Sequence, residues 1–171
     1  MRDTINFGIL TISDRSAQGA RPDLSGPALV EAVEAQGWKV TSYEVVPDEL
    51  DVIRSQLLTW ADSRTLDVIL TSGGTGFAPR DVTPEATRAV IERLTPGLDE
   101  AMRAASLAVT PHAMLSRAVS GIRGRTLIVN LPGSPKGAVE NLRVIAPVLE
   151  HAVQLLRNDP ASEQGHLASS R

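Results

Sequence analysis

Apolar residues recur along this chain in two alternating rhythms: short runs rich in branched residues, and longer stretches whose apolar positions fall three and four apart. Runs of the first kind occupy residues 7–12 (F-G-I-L-T-I), 66–70 (L-D-V-I-L), 119–122 and 126–130 (T-L-I-V-N), and residues 39–46 read as a further strand. The runs at 66–70 and 126–130 are apolar enough to be covered on both faces, as strands of a parallel sheet are. Helical spacing predicts helices over 27–36 (Leu29, Val30, Val33), 49–62 (Val52, Ile53, Leu57, Trp60), 84–94, from the Thr95-Pro96-Gly97 turn to about 108, and 138–156 (Val139, Leu142, Ile145, Val148, Leu149, Val153, Leu156). Strands alternating with helices predict an α/β fold around a mostly parallel sheet. No Pro/Gly/Ser-rich linker divides residues 1–157, so one domain is expected there. Residues 158–171 lack apolar periodicity and are expected to form a flexible C-terminal tail.

The polar connections carry the chemistry. Four loops, beginning at Ser13, Pro47, Ser72 and Asn130, follow strands and are expected at one edge of the sheet, where such folds bind ligands. The loop Ser72-Gly73-Gly74-Thr75-Gly76 stops its strand abruptly. Its glycines let the backbone approach a ligand and point N–H groups at phosphate oxygens, although a tight strand-to-loop turn explains them equally. Arg80-Asp81 follows, offering a cation and a carboxylate for the phosphate and the metal of a nucleotide. Neither a Gly-Lys-Ser/Thr ending nor Gly-x-Gly-x-x-Gly spacing is present, so this is not a standard nucleotide fingerprint. Thr83 is expected to cap the next helix, with Pro84 at its first position and Glu85 favoured by the dipole. Ser25 is the expected cap of the helix over 27–36. On spacing alone Asp48 is better explained as a helix cap than as a ligand. The polar stretch of residues 13–25, which contains Ser13-Asp14-Arg15, shows no structural pattern and is either functional or an ordinary turn. Lys136, in the loop that opens the last helix, can either meet a phosphate or remain solvated.

Composition narrows the chemistry. With no cysteine in 171 residues there is no thiolate nucleophile or zinc–thiolate site, and the three histidines lack ligand spacing, so a bound metal is expected to be a hard cation on carboxylates. A net charge of −3, no basic run and five aromatic residues argue against nucleic-acid binding. Apolar stretches fall far short of the roughly 18 residues of a membrane span, and residues 1–8 show no export pattern, so a soluble cytoplasmic protein is expected.

Taken together, Ser13-Asp14-Arg15, Pro47-Asp48-Glu49, the glycine loop, Arg80-Asp81-Val82-Thr83-Pro84-Glu85-Ala86, Leu115-Ser116-Arg117 and Asn130-Leu131-Pro132-Gly133 resemble the molybdopterin adenylyltransferase family, in order and over roughly residues 5–157. The resemblance extends to MogA-like bacterial enzymes and to the G domains of plant and animal molybdenum-cofactor proteins such as gephyrin. It implies a three-layer α/β/α domain, commonly trimeric, that binds molybdopterin and MgATP and transfers AMP to the pterin's terminal phosphate. It also makes the molybdate-inserting enzyme a candidate partner. Asp48 and Asp81 match the family's essential acids, which implies that they position Mg²⁺. Ser13, Asp14, Ser72, Gly73, Gly74, Thr75, Gly76, Arg80, Ser116, Asn130, Pro132 and Gly133 match positions that line the nucleotide and pterin pockets. A sister branch, MoaB-like, contains members without the paired acids, so the alternative is a molybdopterin-binding carrier that does not catalyse.

Overall fold

A computed structural model describes residues 4–158. Four parallel strands form its centre: β1 (Asn6–Ile12), β2 (Lys39–Val46), β3 (Val68–Ser72) and β6 (Thr126–Leu131). Two short strands, β4 (Arg93–Leu94) and β5 (Ser120–Arg123), extend the sheet antiparallel beyond β6, giving the order β2-β1-β3-β6-β5-β4. The sheet is therefore mixed but mostly parallel.

Period-two alternation sends side chains to opposite faces. Phe7, Ile9, Val68, Leu70, Leu127 and Val129 point to one face, beneath α2 (Ser25–Glu34) and α6 (Pro135–Arg157). Leu10, Ile12, Ile69 and Ile128 point to the other, beneath α3 (Leu50–Asp62) and α4 (Thr83–Arg88). The outcome is the three-layer α/β/α arrangement. Gly8 allows the second face to close, since a Cβ there would sit 2.7 Å from Leu66 Cδ1.

Several local expectations need correction. The helix expected over 84–94 ends at Arg88; Val90 and Ile91 turn inward, and the Glu92 and Thr95 amides donate to the Ile122 and Ser120 carbonyls, so the free edge of β5 captures the chain as β4. A second helix, α5 (Pro96–Leu107), follows as expected. The stretch 13–25 is not structureless: α1 (Asp14–Ala17) forms a single turn capped by Ser13. A 3-10 turn, Pro111–Leu115, precedes Ser116. Thr83 lies inside α4 and donates its hydroxyl to Gly73 O at 2.9 Å instead of capping it. Ser25 is likewise the first helical residue of α2, and Asp23 Oδ1 accepts from the amides of Ser25 and Gly26. The tail expectation lies, beyond Asn158, outside the described residues.

Candidate active site

The carboxyl ends of β1 and β3 lie side by side where the strand order reverses, β1 leading outward to β2 and β3 neighbouring β6. Ligand-binding crevices open at such a switch point. Here the β1 and β3 loops interlock. Gly73 has φ of +106°, and a Cβ on it would sit 2.3 Å from the Ile12 carbonyl oxygen, so only glycine fits.

Around this contact a cleft of about 620 Å³ is lined by Ser13, Asp14, Asp48, Ser72, Gly73, Gly74, Asp81 and Gly133. A second cleft, about 310 Å³, lies beyond the glycine loop and is lined by Thr75, Gly76, Ser116, Asn130 and Pro132, together with Met102, Arg103, Ser106 and His112. The expected site residues thus gather into two adjoining clefts. Arg80 lines neither; it lines a shallower hollow with Asp48 and Glu49. Lys136 is solvated, 3.8 Å from Glu140 and outside both clefts.

Asp48 does not cap α3. Glu49 occupies the cap position without a side-chain bond, while Asp48 is latched to Asp14: the Asp14 amide donates to Asp48 Oδ2 at 2.8 Å and the Asp48 amide donates to Asp14 Oδ1 at 3.0 Å. Arg80 forks onto Asp14 through Nε at 2.7 Å and Nη2 at 2.8 Å, and these bonds hold the Asp14 carboxyl below its ordinary range. Burial pushes the Asp48 carboxyl up, and the negative charges of Asp14 and Asp81 add to the push, against the Asp14 amide and Arg80.

The glycine loop runs between the two acids. A Cβ on Gly74 would lie 3.1 Å from Asp48 Oδ1, and one on Gly76 would lie 2.9 Å from Asp81 Oδ2. Each carboxylate therefore presses on an alternate glycine of one loop. Among the described residues the N–H groups of Gly74, Thr75 and Gly76 have no protein acceptor, leaving three successive donors. Gly133, Ser134 and Pro135 bring the N-terminal end of α6, with its partial positive charge, into the wall of the larger cleft.

Several expected ligand side chains are occupied by the protein itself. Ser72 Oγ donates to Pro132 O at 2.8 Å, Ser13 Oγ accepts from the Ser16 amide, and Ser116 Oγ accepts from the Ala118 amide. Buried Asn130 accepts from the Val119 amide and donates to the hydroxyls of Thr71 and Thr87. Ser72 and Asn130 thereby shape the pockets by joining loops and strands.

Sequence reasoning missed Asp99, which lies in the second cleft at 5% exposure, with Oδ2 accepting from the Ser120 amide and Oδ1 without a hydrogen-bond partner among the described residues. Burial pushes its carboxyl up. Nothing local distinguished it from an acid in a helix's first turn.

Comparison with known proteins gives this arrangement a relationship. Residues 8–151 match a family model described as a probable molybdopterin binding domain. The chain is 46% identical over 165 residues to gephyrin of Dictyostelium discoideum, covering 91% of this chain and 23% of gephyrin, so it spans about a quarter of that relative's length. To the molybdopterin adenylyltransferase of Helicobacter pylori it is 43% identical over 155 residues, covering 90% of this chain and 88% of that enzyme. The crystal structure of the molybdopterin biosynthesis enzyme MoaB from Thermus thermophilus superposes with a TM-score of 0.86 at 52% identity, covering 92% of this chain and 99% of that one. With the matched region enclosing every loop of the two clefts, this chain belongs to the molybdopterin-binding domain family of molybdenum cofactor biosynthesis proteins.

Proposed function

We propose that the protein is a molybdopterin adenylyltransferase, which transfers AMP from ATP to the terminal phosphate of molybdopterin. The observation that carries this reading is the pair of carboxylates, Asp48 and Asp81, set against alternate glycines of a loop with three free amides. In the reaction a phosphate oxygen of molybdopterin forms a bond to the α-phosphorus of ATP, the bond from that phosphorus to the bridging oxygen breaks, and pyrophosphate leaves. No protein nucleophile is required, so the residues align two anions and offset their charge.

The larger cleft suits the triphosphate. It offers the Gly74 amide, the end of α6 and the exposed guanidinium groups of Arg15 and Arg21. The smaller cleft, where Met102, Val109 and Leu115 mix with polar groups, suits a flat heterocycle. The glycine loop, between the clefts, is where the two phosphates meet.

Among the described residues no three His, Asp or Glu side chains converge to hold a metal. The residues do fit a hard cation that arrives with phosphate: Mg²⁺ commonly takes one or two protein carboxylates, with phosphate oxygens and water completing its shell. Asp48 and Asp81 would hold it, because the negative charge of Asp81 weighs on half-buried Asp48 and a cation in the cleft that both line offsets it. Bound there, Mg²⁺ supplies charge neutralisation of the reacting phosphates.

A homotrimer and a cytoplasmic location belong to the same reading. Five exposed apolar residues between α4 and β5, Leu94, Leu107, Val109, Met114 and Leu115, favour an interface on that side, and among the described residues no helix is long and apolar enough to cross a membrane. The molybdate-inserting enzyme is then the partner to which adenylylated pterin passes.

The purified protein, incubated with molybdopterin and MgATP, is expected to release pyrophosphate and yield adenylylated pterin by mass spectrometry. The family model's description, a probable molybdopterin binding domain, supports one alternative, a binding protein without transfer. Molybdopterin retained with no adenylylated product would establish that alternative.

A further inference from the structure

Arg117 reaches the glycine loop from the irregular segment that precedes β5, and three of its donors go to backbone carbonyls. Its amide donates to Thr75 O at 2.8 Å, its Nε to Gly76 O at 2.8 Å and its Nη2 to Asp81 O at 2.6 Å. Nη1 pairs with Glu85 of α4, and Nη2 lies 3.4 Å from the other Glu85 oxygen. One side chain therefore grips both ends of residues 76–81. Inside that span the Asp81 amide donates to Ala78 O and the Ala78 amide to Asp81 Oδ2, each at 2.9 Å, which orients the Asp81 carboxylate toward Gly76.

We propose that Arg117 is the positioning residue for Asp81, holding the loop in the one shape that directs this carboxylate into the cleft. The inference rests on the adenylyltransferase reading for its kinetic consequence, though the loop geometry stands without it. The ion pair is the weaker part of the device. Arg117 and Glu85 expose 35% and 44% of their side chains, and an exposed pair contributes little. The two carbonyl bonds matter more, because a charged donor strengthens each and a planar guanidinium offers them in fixed directions. Lysine keeps the charge and loses the fork, so Arg117→Lys separates geometry from electrostatics.

The test uses the full chain and three variants: Arg117→Lys, Arg117→Ala and Glu85→Gln. Amide hydrogen exchange over residues 76–81 is measured beside the steady-state kinetics of adenylyl transfer at varied Mg²⁺. In Arg117→Lys we expect exchange at Ala78 and Asp81 to accelerate at least about tenfold. Turnover should fall by about a hundredfold, the effect of a misplacement of roughly 1 Å, with KM for molybdopterin unchanged within about threefold and a higher Mg²⁺ requirement. Glu85→Gln should leave exchange and turnover within about threefold of the parent. If Arg117→Ala does not fold, Arg117→Lys alone decides. Unchanged exchange in Arg117→Lys overturns the proposal even if turnover is lost, since Arg117 would then act on substrate directly. Equal losses in Glu85→Gln overturn it as well, because the ion pair would then be the cause. Should the parent protein show no adenylyl transfer, the functional reading fails while the exchange measurement still decides the role of Arg117.

Discussion

Asp48 and Asp81 illustrate how much a single acid's meaning depends on what it touches. The Asp48 carboxylate accepts the Asp14 amide and lies against Gly74, so it contributes nothing to the start of α3. Asparagine at either position retains an acceptor oxygen but not the charge. For Asp48→Asn and Asp81→Asn, turnover is expected to fall on the order of a thousandfold, several kcal/mol of transition-state stabilisation. Melting should not fall, whereas loss of a helix cap costs about 1 kcal/mol and leaves chemistry intact. For Asp48 the pH dependence has a definite sign. Its folded-state pKa is raised, so the wild-type residue is best tolerated below the unfolded carboxyl value and becomes costly as pH rises through the folded one. Asp48→Asn does not titrate there, and its melting temperature relative to wild type should rise from acid to neutral pH. Thermal unfolding and turnover on both variants check this, and near-normal turnover in either removes that residue from the metal-positioning role.

At the level of elements, the two clefts owe their shape to polar groups that staple strands to loops. Asn130, 1% exposed near the end of β6, binds the Val119 amide at 3.2 Å, the Thr71 hydroxyl of β3 at 3.0 Å and the Thr87 hydroxyl of α4 at 2.9 Å. Replacing it by leucine strands one amide and two hydroxyls in the interior. At about 1–3 kcal/mol for a buried group left unpaired, with some relaxation, a total near 3 kcal/mol is expected. In a chain of this size that lowers Tm by about 6–12 °C. Differential scanning calorimetry of Asn130→Leu measures it, and an unchanged Tm would mean that the residue serves ligand alone. The element boundaries that went astray in the sequence have a related cause. Residues 89–94 have no local reason to leave the helix, and they do so because β5, nearly thirty residues further on, presents an edge that needs pairing.

For the whole molecule, the exposed apolar side chains between residues 94 and 115 are the feature that a lone chain least explains, Val109 and Met114 being 67% and 65% exposed. Sedimentation equilibrium is expected to return three times the 18.2 kDa chain mass at micromolar concentration, and a monomer there would sink the trimer. How much of this was legible beforehand follows from the range of the forces involved. Apolar rhythm is local, so the sequence by itself determined the four parallel strands, the long helices and the strand–glycine–acid–helix order around the glycine loop. Polar side chains choose among partners that only folding brings near. Asp48 turned from helix cap to cleft acid when the β1 loop arrived 34 positions away in sequence, and Thr83 turned from cap to tether of Gly73. Arg117 acquired its grip on Asp81 by the same route, through contacts spanning 36 and 41 residues. Those choices, and the division of the site into two clefts across one loop, were decided by tertiary structure, because a buried hydrogen bond is settled by three-dimensional neighbours and not by spacing along the chain.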